Sequence, residues 1–389
     1  MIPVGIVGAG AMGSGIAHVA LRNGHPVVLA DVEKSAALKA KQIIETSLSR
    51  EMEKGRLTKA VAEAAAKNLS IASLPMGLGD FAQCGLVVEA IIEGLDAKQS
   101  LFSALETVVG EECLLATNTS SLSVTSIASA CHTPGRVVGM HFFNPAPIMP
   151  LVEIIPGAQT STQVIRTAKG LAEGWGKVTV LAADSPGFIV NRVARPFYGE
   201  SLRMLEEGIA DAPTIDWAMR ELGGFRMGPF LLMDFIGNDV NYAVTESVWR
   251  ATYYDARYKP SVTQRRLVEA GWLGRKTGQG FYDYGPNASP RPATEDRVLG
   301  EKIVMRVLAM LVNEAAEVVR WRIASPADVD LAMTRGVNYP RGPLAWGNEL
   351  GLLHVVEEIE RLREDSGEER YRSSPLLRTM VKEGKKFFE

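Results

Sequence analysis

The sequence predicts an α/β domain followed by two all-α domains that are copies of one another. Three observations carry this. The chain opens on a strand, a glycine-rich turn, a helix and a second strand closed by an acid. Strand-like runs then alternate with helical ones to about residue 184 and stop. The helical remainder matches itself when shifted by 114 residues.

The opening pattern runs Val4-Gly5-Ile6-Val7, then Gly8-Ala9-Gly10-Ala11-Met12-Gly13, then a helical stretch from Ser14 to Arg22. Asn23-Gly24 breaks the helix, and Pro26 to Ala30 leads to Asp31, 21 residues after Gly10. This is the dinucleotide fingerprint in its required context. Gly8 permits a tight turn, Gly10 lets the backbone approach a pyrophosphate, and Gly13 lets helix and strand pack closely. The helix N-terminus offers its free N–H groups to phosphate. Gly8, Gly10, Ala11, Met12 and Gly13 are therefore cofactor-binding candidates. Asp31 is placed to accept hydrogen bonds from a ribose. Residues 1–184 read as a Rossmann-type domain.

Residues 34–68 read as two charged helices broken near Gly55-Arg56-Leu57-Thr58. This hairpin is longer than a minimal crossover needs, which leaves it free to reach toward a ligand. A strand and its exit turn follow at Leu86 to Glu93 and another strand at Cys113 to Thr117, with an amphipathic helix from Asp96 to Val109 between them. Asn118-Thr119-Ser120-Ser121 sits at a strand's carboxyl end. It reads either as a helix cap or as part of a ligand site, since open α/β sheets bind ligands there.

Arg136 to Met140 and Leu151 to Ile155 are apolar runs rich in β-branched residues, as in buried strands. Pro145, Pro147 and Pro150 forbid a helix between them, so the link is a loop that can fold the two strands side by side. His141 ends the first run and Glu153 lies inside the second. A buried carboxylate is costly unless paired. Two readings are open: a satisfied core histidine beside an edge-strand acid, or a His–carboxylate pair that sets a catalytic imidazole. A helix from about Thr160 to Gly174 and a strand from Lys177 to Leu181 complete the domain.

From Phe188 onward strand patterns vanish. Residues 185–284 read as a first helical domain, 285–294 as a Pro- and Gly-rich linker, and 295–389 as a second helical domain. The 114-residue shift pairs Glu200 with Glu314, Asp216 with Asp330, Gly228-Pro229 with Gly342-Pro343 and Gly237 with Gly351. It gives nine identities over residues 200–237 without a gap, against roughly two by chance at average composition. The helical domain is duplicated.

The chain has 389 residues and a net charge of −3, from 42 basic and 45 acidic residues well mixed, which gives no nucleic-acid face. Its three cysteines are far apart and odd in number, which fits free thiols in a reducing compartment. The five histidines show no metal-ligand spacing. There is no signal-peptide pattern and no long uncharged apolar run. The expectation is a cytoplasmic protein without a metal, a nucleic-acid partner or a membrane span.

With these residues in place, the sequence resembles the L-3-hydroxyacyl-CoA dehydrogenases. The matching pieces are GAGAMG (8–13), VVEAIIE (87–93), NTSSL (118–122), HFFNP (141–145), LVE (151–153), DSPGFIVNR (184–192), MGPF (227–230) and GRKTGQGFYDY (274–284), in the family's order. Residues 295–389 resemble the extra helical copy of tandem members, but end at Lys385-Lys386-Phe387-Phe388-Glu389 without a GRKTGQGFY counterpart. That copy also lacks a nucleotide domain of its own and reads as structural. The resemblance implies NAD-dependent oxidation of an L-3-hydroxyacyl-CoA to the 3-oxoacyl-CoA. It implies that His141 is the base, Glu153 its carboxylate partner, and Ser120 and Asn191 the groups that hold the substrate's oxygen and thioester portion. Asp31, Glu93, Lys98, Ser120, Asn144 and Lys276 match NAD contacts. Ser47 and Lys54 fall near CoA contacts. Single-copy members are implied to dimerise through the helical domain, so here the second copy would take the partner's place, leaving a monomer or a dimer through another surface. Two other readings are open: a dehydrogenase of a non-thioester hydroxy acid, like the sugar-acid enzyme that lambda-crystallin resembles, and a non-catalytic NAD-binding structural protein.

Overall fold

The computed structural model describes residues 1–289 and 291–389; Pro290, in the expected linker, lies outside the described residues. The chain divides into two compact units, Met1–Phe188 and Ile189–Glu389.

The first unit is built on one eight-stranded sheet in the order β3-β2-β1-β4-β5-β6-β7-β8. The strands are β1 (Val4–Val7), β2 (Val27–Asp31), β3 (Leu69–Ser73), β4 (Leu86–Glu89), β5 (Leu114–Thr117), β6 (Val137–Phe142), β7 (Leu151–Pro156) and β8 (Val178–Leu181). Central strands β1, β4 and β5 are buried at every position, which is why they read as continuous apolar runs rather than alternating ones. All neighbours are parallel except β6 and β7. The proline-bearing loop thus turns the chain back, and His141 lies directly opposite Glu153 in the antiparallel register.

The helices of this unit are α1 (Ala11–Arg22), α2 (Lys34–Glu53), α3 (Lys59–Lys67), α4 (Leu95–Glu106), α5 (Val124–Ala128) and α6 (Thr162–Gly174). On α2 the buried residues are Ala37, Ala40, Ile44 and Leu48, one stripe at helical spacing. That stripe packs against α1, while Leu38 and Ile43 on the same helix are exposed. Two differences from the sequence reading stand out. α1 begins at Ala11 rather than Ser14, because the glycine turn passes straight into the first helical turn. β3 is an added strand where none was expected. Only Leu69 and Ala72 of its five residues are buried, and two are serines, so at this edge of the sheet it lacks the apolar run that marks a central strand.

The second unit is all helix: α7 (Val190–Val193), α8 (Arg195–Glu206), α9 (Ala212–Trp217), α10 (Pro229–Ile236), α11 (Asn238–Ala251), α12 (Val262–Glu269), α13 (Arg297–Arg320), α14 (Pro326–Gly336), α15 (Pro343–Leu350), α16 (Leu352–Ser366) and α17 (Pro375–Glu383). Adding 114 to the bounds of α10 gives those of α15, and α11 maps onto α16 with one residue to spare. The local devices repeat too. Asp216 accepts the N–H groups of Phe230 and Leu231, both at 2.9 Å, capping α10. Asp330 accepts those of Leu344 and Ala345, both at 2.8 Å, capping α15. A Cβ on Gly228 would collide with Asp216, and one on Gly342 with Asp330. That is why the Asp and Gly-Pro pairs survive in both copies.

The two copies meet through reciprocal pairs. Arg192 of the first holds Glu314 of the second at 2.7 Å, and Arg306 of the second holds Glu200 of the first at 2.9 Å. Tyr258 donates to Glu314, and Tyr371 donates to Glu200. Arg257 completes the first cluster at 3.3 Å, and Arg370 the second at 3.6 Å. When contact i to j is matched by j to i, the interface is self-complementary, the pattern of a two-fold dimer. Here it is made within one chain. Both glutamates are buried, which is tolerable only because each meets several donors.

The structure also corrects one reading. The second copy keeps a remnant of the hairpin that ends the first. Asp234 accepts the Phe281 N–H at 3.0 Å, and Asn348, 114 residues on, accepts the Phe387 N–H at 3.0 Å. The final Lys-Phe-Phe segment therefore does the docking that GQGFY does in the first copy, with a neutral amide in place of the acid.

Candidate active site

The β6–β7 pairing builds the centre of the site. The Nδ1 atom of His141 lies 2.6 Å from Glu153 Oε2. A carboxylate only accepts, so Nδ1 carries the hydrogen and Nε2 is left as the basic nitrogen. Glu153 is fully buried and His141 is 6% exposed, so the pair is shielded from bulk water. The Phe143 and Phe188 rings flank the imidazole at 4.5 and 5.8 Å between centroids. Asn118 Oδ1 accepts the Phe142 N–H at 2.8 Å, tying the exit of β5 to the strand that carries His141. Gly139 is needed for the pairing, because a Cβ there would press on Ile155 and Val124, each at 2.9 Å. Lys177 fixes the loop that follows, donating to the carbonyls of Ala146 at 2.5 Å and Met149 at 2.8 Å. Burial pushes its ammonium down to about 8.

Ser120 follows β5 at the same end of the sheet. Its N–H donates to Glu93 Oε1 at 2.9 Å, alongside the Thr119 hydroxyl at 2.6 Å and the Ser121 N–H at 3.1 Å. Burial alone would raise the Glu93 carboxyl; the Lys98 ammonium and these hydrogen bonds outweigh it and hold the group below its ordinary range. Lys98 does not point into open space. It is 1% exposed and bridges Glu89 at 2.5 Å and Glu93 at 3.2 Å. Glu89, unread in the sequence, is fully buried and also accepts from the Thr117 hydroxyl and the Ile91 N–H, each at 2.7 Å. Its one signal was an acid ending an apolar run. Asp184 was also missed. It accepts from the Val124 and Thr125 N–H groups at 3.0 and 2.7 Å and so caps α5.

The dinucleotide cradle shows three distinct glycine requirements. Gly8 has φ +102°, and a Cβ on it would strike the Ala90 carbonyl. A Cβ on Gly13 would strike the Gly8 carbonyl. At Gly10 a Cβ would meet nothing within 4 Å, so the space over that residue is open for a ligand. The first turn of α1, which includes Ala11 and Met12, carries no acidic residue to compete with a phosphate. Asp31 Oδ2 accepts the Ala9 N–H at 2.7 Å and Oδ1 the Glu33 N–H at 3.0 Å, which fixes the carboxylate beside the glycine turn. These features fit NAD. The fixed charge of Asp31 would repel the 2′-phosphate of NADP. NAD is expected to be preferred over NADP, with Asp31→Ala narrowing the gap, as ratios of kcat/KM for the two cofactors will read; a wild-type preference for NADP contradicts this.

The remaining candidates are dispersed. Asn144 is exposed just after β6. Ser47 lies on α2, its hydroxyl donating to the Ile43 carbonyl at 2.8 Å, and Lys54 is exposed at the end of that helix. Asn191 and Lys276 belong to the helical unit. Asn191 lies on α7, and Lys276 grips Asp239 at 2.6 Å. Among the described residues no cluster of His, Cys, Asp or Glu is arranged to hold a metal ion, and no helix is long and apolar enough to cross a membrane.

An imidazole with a fixed counter-charge and a cradle shaped for a dinucleotide serve the two halves of hydride-transfer chemistry, the proton and the hydride. Both lie along the carboxyl ends of one sheet, which puts this unit among the nicotinamide-dependent dehydrogenases. Comparison with known proteins narrows this. Residues 3–185 match the model of the 3-hydroxyacyl-CoA dehydrogenase NAD-binding domain. Residues 187–284 and 303–386 match that of the 3-hydroxyacyl-CoA dehydrogenase C-terminal domain. The chain is 36% identical to 3-hydroxyadipyl-CoA dehydrogenase of Escherichia coli, over 96% of each. It is 42% identical to a probable 3-hydroxybutyryl-CoA dehydrogenase of Deinococcus radiodurans, over 72% of this chain and 99% of that one. Among solved structures, that of 3-hydroxybutyryl-CoA dehydrogenase from Escherichia coli superposes with a TM-score of 0.92 at 35% identity, covering 98% of both chains. The chain belongs to the 3-hydroxyacyl-CoA dehydrogenase family.

Proposed function

We propose that this chain oxidises the 3-hydroxyl of an L-3-hydroxyacyl-CoA, with His141 as general base and Glu153 as its counter-charge. The observation that carries the reading is the 2.6 Å bond from His141 Nδ1 to Glu153, made in the same unit as the NAD cradle. Bound NAD supplies the hydride acceptor. His141 Nε2 takes the hydroxyl proton, and the Glu153 carboxylate stabilises the imidazolium that forms. In the reverse direction the imidazolium returns that proton to the developing alkoxide. Ser120 and Asn191 supply hydrogen bonds where charge grows on oxygen, contacts that favour the transition state over the ground state. Glu89 and Lys98 act through Glu93, holding it under the Ser120 loop. Asp31, Glu93, Asn144 and Lys276 serve the cofactor, and Ser47 and Lys54 the CoA.

The names of the relatives divide between an acyl group with a second carboxylate, adipyl, and one without, butyryl. The acyl class of this chain therefore rests on its own residues. A cytoplasmic location is supported by Cys84, Cys113 and Cys131, which are free and buried. Burial pushes their thiols up to about 11, 12 and 11. The second helical copy is structural: Met305 stands where the first copy has Asn191. It replaces a dimer partner, so the chain is a monomer or dimerises through another surface. Reduction of acetoacetyl-CoA by NADH, with a sugar acid as counter-substrate, tests the activity.

A further inference from the structure

Arg195 is the first residue of α8 and is 6% exposed. One of its terminal nitrogens donates to the Thr245 hydroxyl at 2.9 Å and lies 3.5 Å from the Asn241 carbonyl, while its Nε has no partner. The guanidinium sits over the Tyr198 ring at 5.0 Å. Arg192, Arg306, Arg257 and Arg370, whose side chains are buried in the same unit, each pair with a glutamate. Arg195 has no acid within ion-pair distance among the described residues. Burial pushes its guanidinium down from the usual range, and only Tyr198 and Tyr339 oppose that.

The other half of the seam between the copies shows the same place with an acid in it. The 114-residue register pairs Arg203 with Glu317, Glu206 with Arg320, and Arg195 and Tyr198 with Ala309 and Val312. Further on the register is 113, which pairs Arg257 with Arg370 and Ser261 with Ser374; these serines cap α12 and α17 alike. Glu317 is 2% exposed and accepts from Arg257 at 3.4 Å, Arg320 at 2.7 Å and the Ser374 hydroxyl at 2.7 Å. In the first copy's half Arg203 replaces that buried acid, and Arg195 is an added cation. The acid of this half, Glu206, is exposed, and its Oε1 is taken by the Ser261 hydroxyl at 2.6 Å and the Thr263 N–H at 3.2 Å. Glu368 pairs with both Arg203 and Arg370, so the unmatched buried charge is Arg195.

Beside Arg195 is a cavity of about 90 Å³ whose wall carries Arg195, Tyr198, Arg203, Lys259 and Arg370 against the single acid Glu206. Lys259 is exposed and has no acid within ion-pair distance among the described residues. A buried charge without a counter-charge is costly and persists where an anion completes it. The guanidinium offers a planar fork of donors that matches two oxygens of an oxyanion. Clefts for organic ligands run to roughly 300–1,000 Å³, so this cavity has room for a small ion only. We propose that it binds one inorganic oxyanion of the phosphate type, held by Arg195 and Lys259, with Arg370 bringing the second copy to the same ion. The ion does for this half of the seam what the Glu317 carboxylate does for the other.

The test is thermal unfolding of the full chain in potassium phosphate and in potassium chloride, at neutral pH and matched ionic strength. Saturating NADH is present in both, so that phosphate does not report on the dinucleotide cradle. With phosphate at tenfold over its Kd, the wild-type midpoint should lie roughly 3–6 °C above the chloride value and climb with the logarithm of concentration. Arg195→Met should lose that difference. Lys259→Gln changes an exposed residue, and should need roughly 2–5-fold more phosphate for the same rise. Equal midpoints in phosphate and chloride for wild type overturn the proposal. So does a phosphate response in Arg195→Met equal to that of wild type, which would mean an adventitious ion bound elsewhere. If Arg195→Met does not fold, Lys259→Gln decides, and a phosphate response identical to wild type there overturns the proposal.

Discussion

His141→Ala is expected to lower kcat by about 10²- to 10⁴-fold, the usual contribution of a positioned general base, while NADH still binds. The dinucleotide cradle depends on the glycine turn and Asp31, and neither touches the imidazole, so cofactor binding measured by fluorescence titration should persist. Glu153→Gln keeps the shape of the pair and removes its charge. The imidazolium then forms beside a neutral amide in a buried site, so kcat should fall and the pH–rate profile should shift. An amide can also present its NH₂ to Nδ1, which would favour the tautomer with the hydrogen on Nε2, the wrong one for a base. Wild-type rates in both variants would remove His141 from the mechanism.

The second large effect concerns the duplicated helices. Truncation after Tyr284 removes Glu314, Arg306, Arg370 and Tyr371 together. Arg192 and Glu200 then lose the partners that bury them. Breaking a buried ion pair from one side costs about 3–5 kcal/mol, and an apolar helical face opens with it. The reciprocal pairing says what restores the contacts. Glu314 stands where the first copy has Glu200, so in a two-fold pair of truncated chains Arg192 and Tyr258 of one can meet Glu200 of the other. The truncated protein should run as a dimer or aggregate in size-exclusion chromatography with light scattering. In the full chain the tether holds the second copy at an effective concentration in the millimolar range, above ordinary protein concentrations. A truncated protein that stays a stable monomer would contradict this. So would cross-links between residues 188–284 of two full-length chains.

Much of this was legible in the sequence because the signals were local or periodic. The glycine turn with its closing acid, the apolar runs around His141 and Glu153, and the 114-residue self-match each needed only spacing and residue type. What escaped was set by tertiary partners. β3 is a strand because β2 offers its edge, not because Leu69–Ser73 insists on it. Glu89 reads as one more acid, and Lys98 as a cofactor contact by resemblance, until burial joins the two. The remnant hairpin at Phe387 falls outside the 114-residue register, so only the contact of its N–H with Asn348 marks it as the counterpart of Phe281 on Asp234.

The most direct test of the central claim is NADH formation from NAD with L-3-hydroxybutyryl-CoA, its D enantiomer and free L-3-hydroxybutyrate, each as the sole substrate. The account predicts NADH from the L thioester, with the D thioester and the free acid turned over far more slowly. Equal rates with the free acid would make the chain a dehydrogenase of simple hydroxy acids, and no NADH from the L thioester would contradict the proposed reaction.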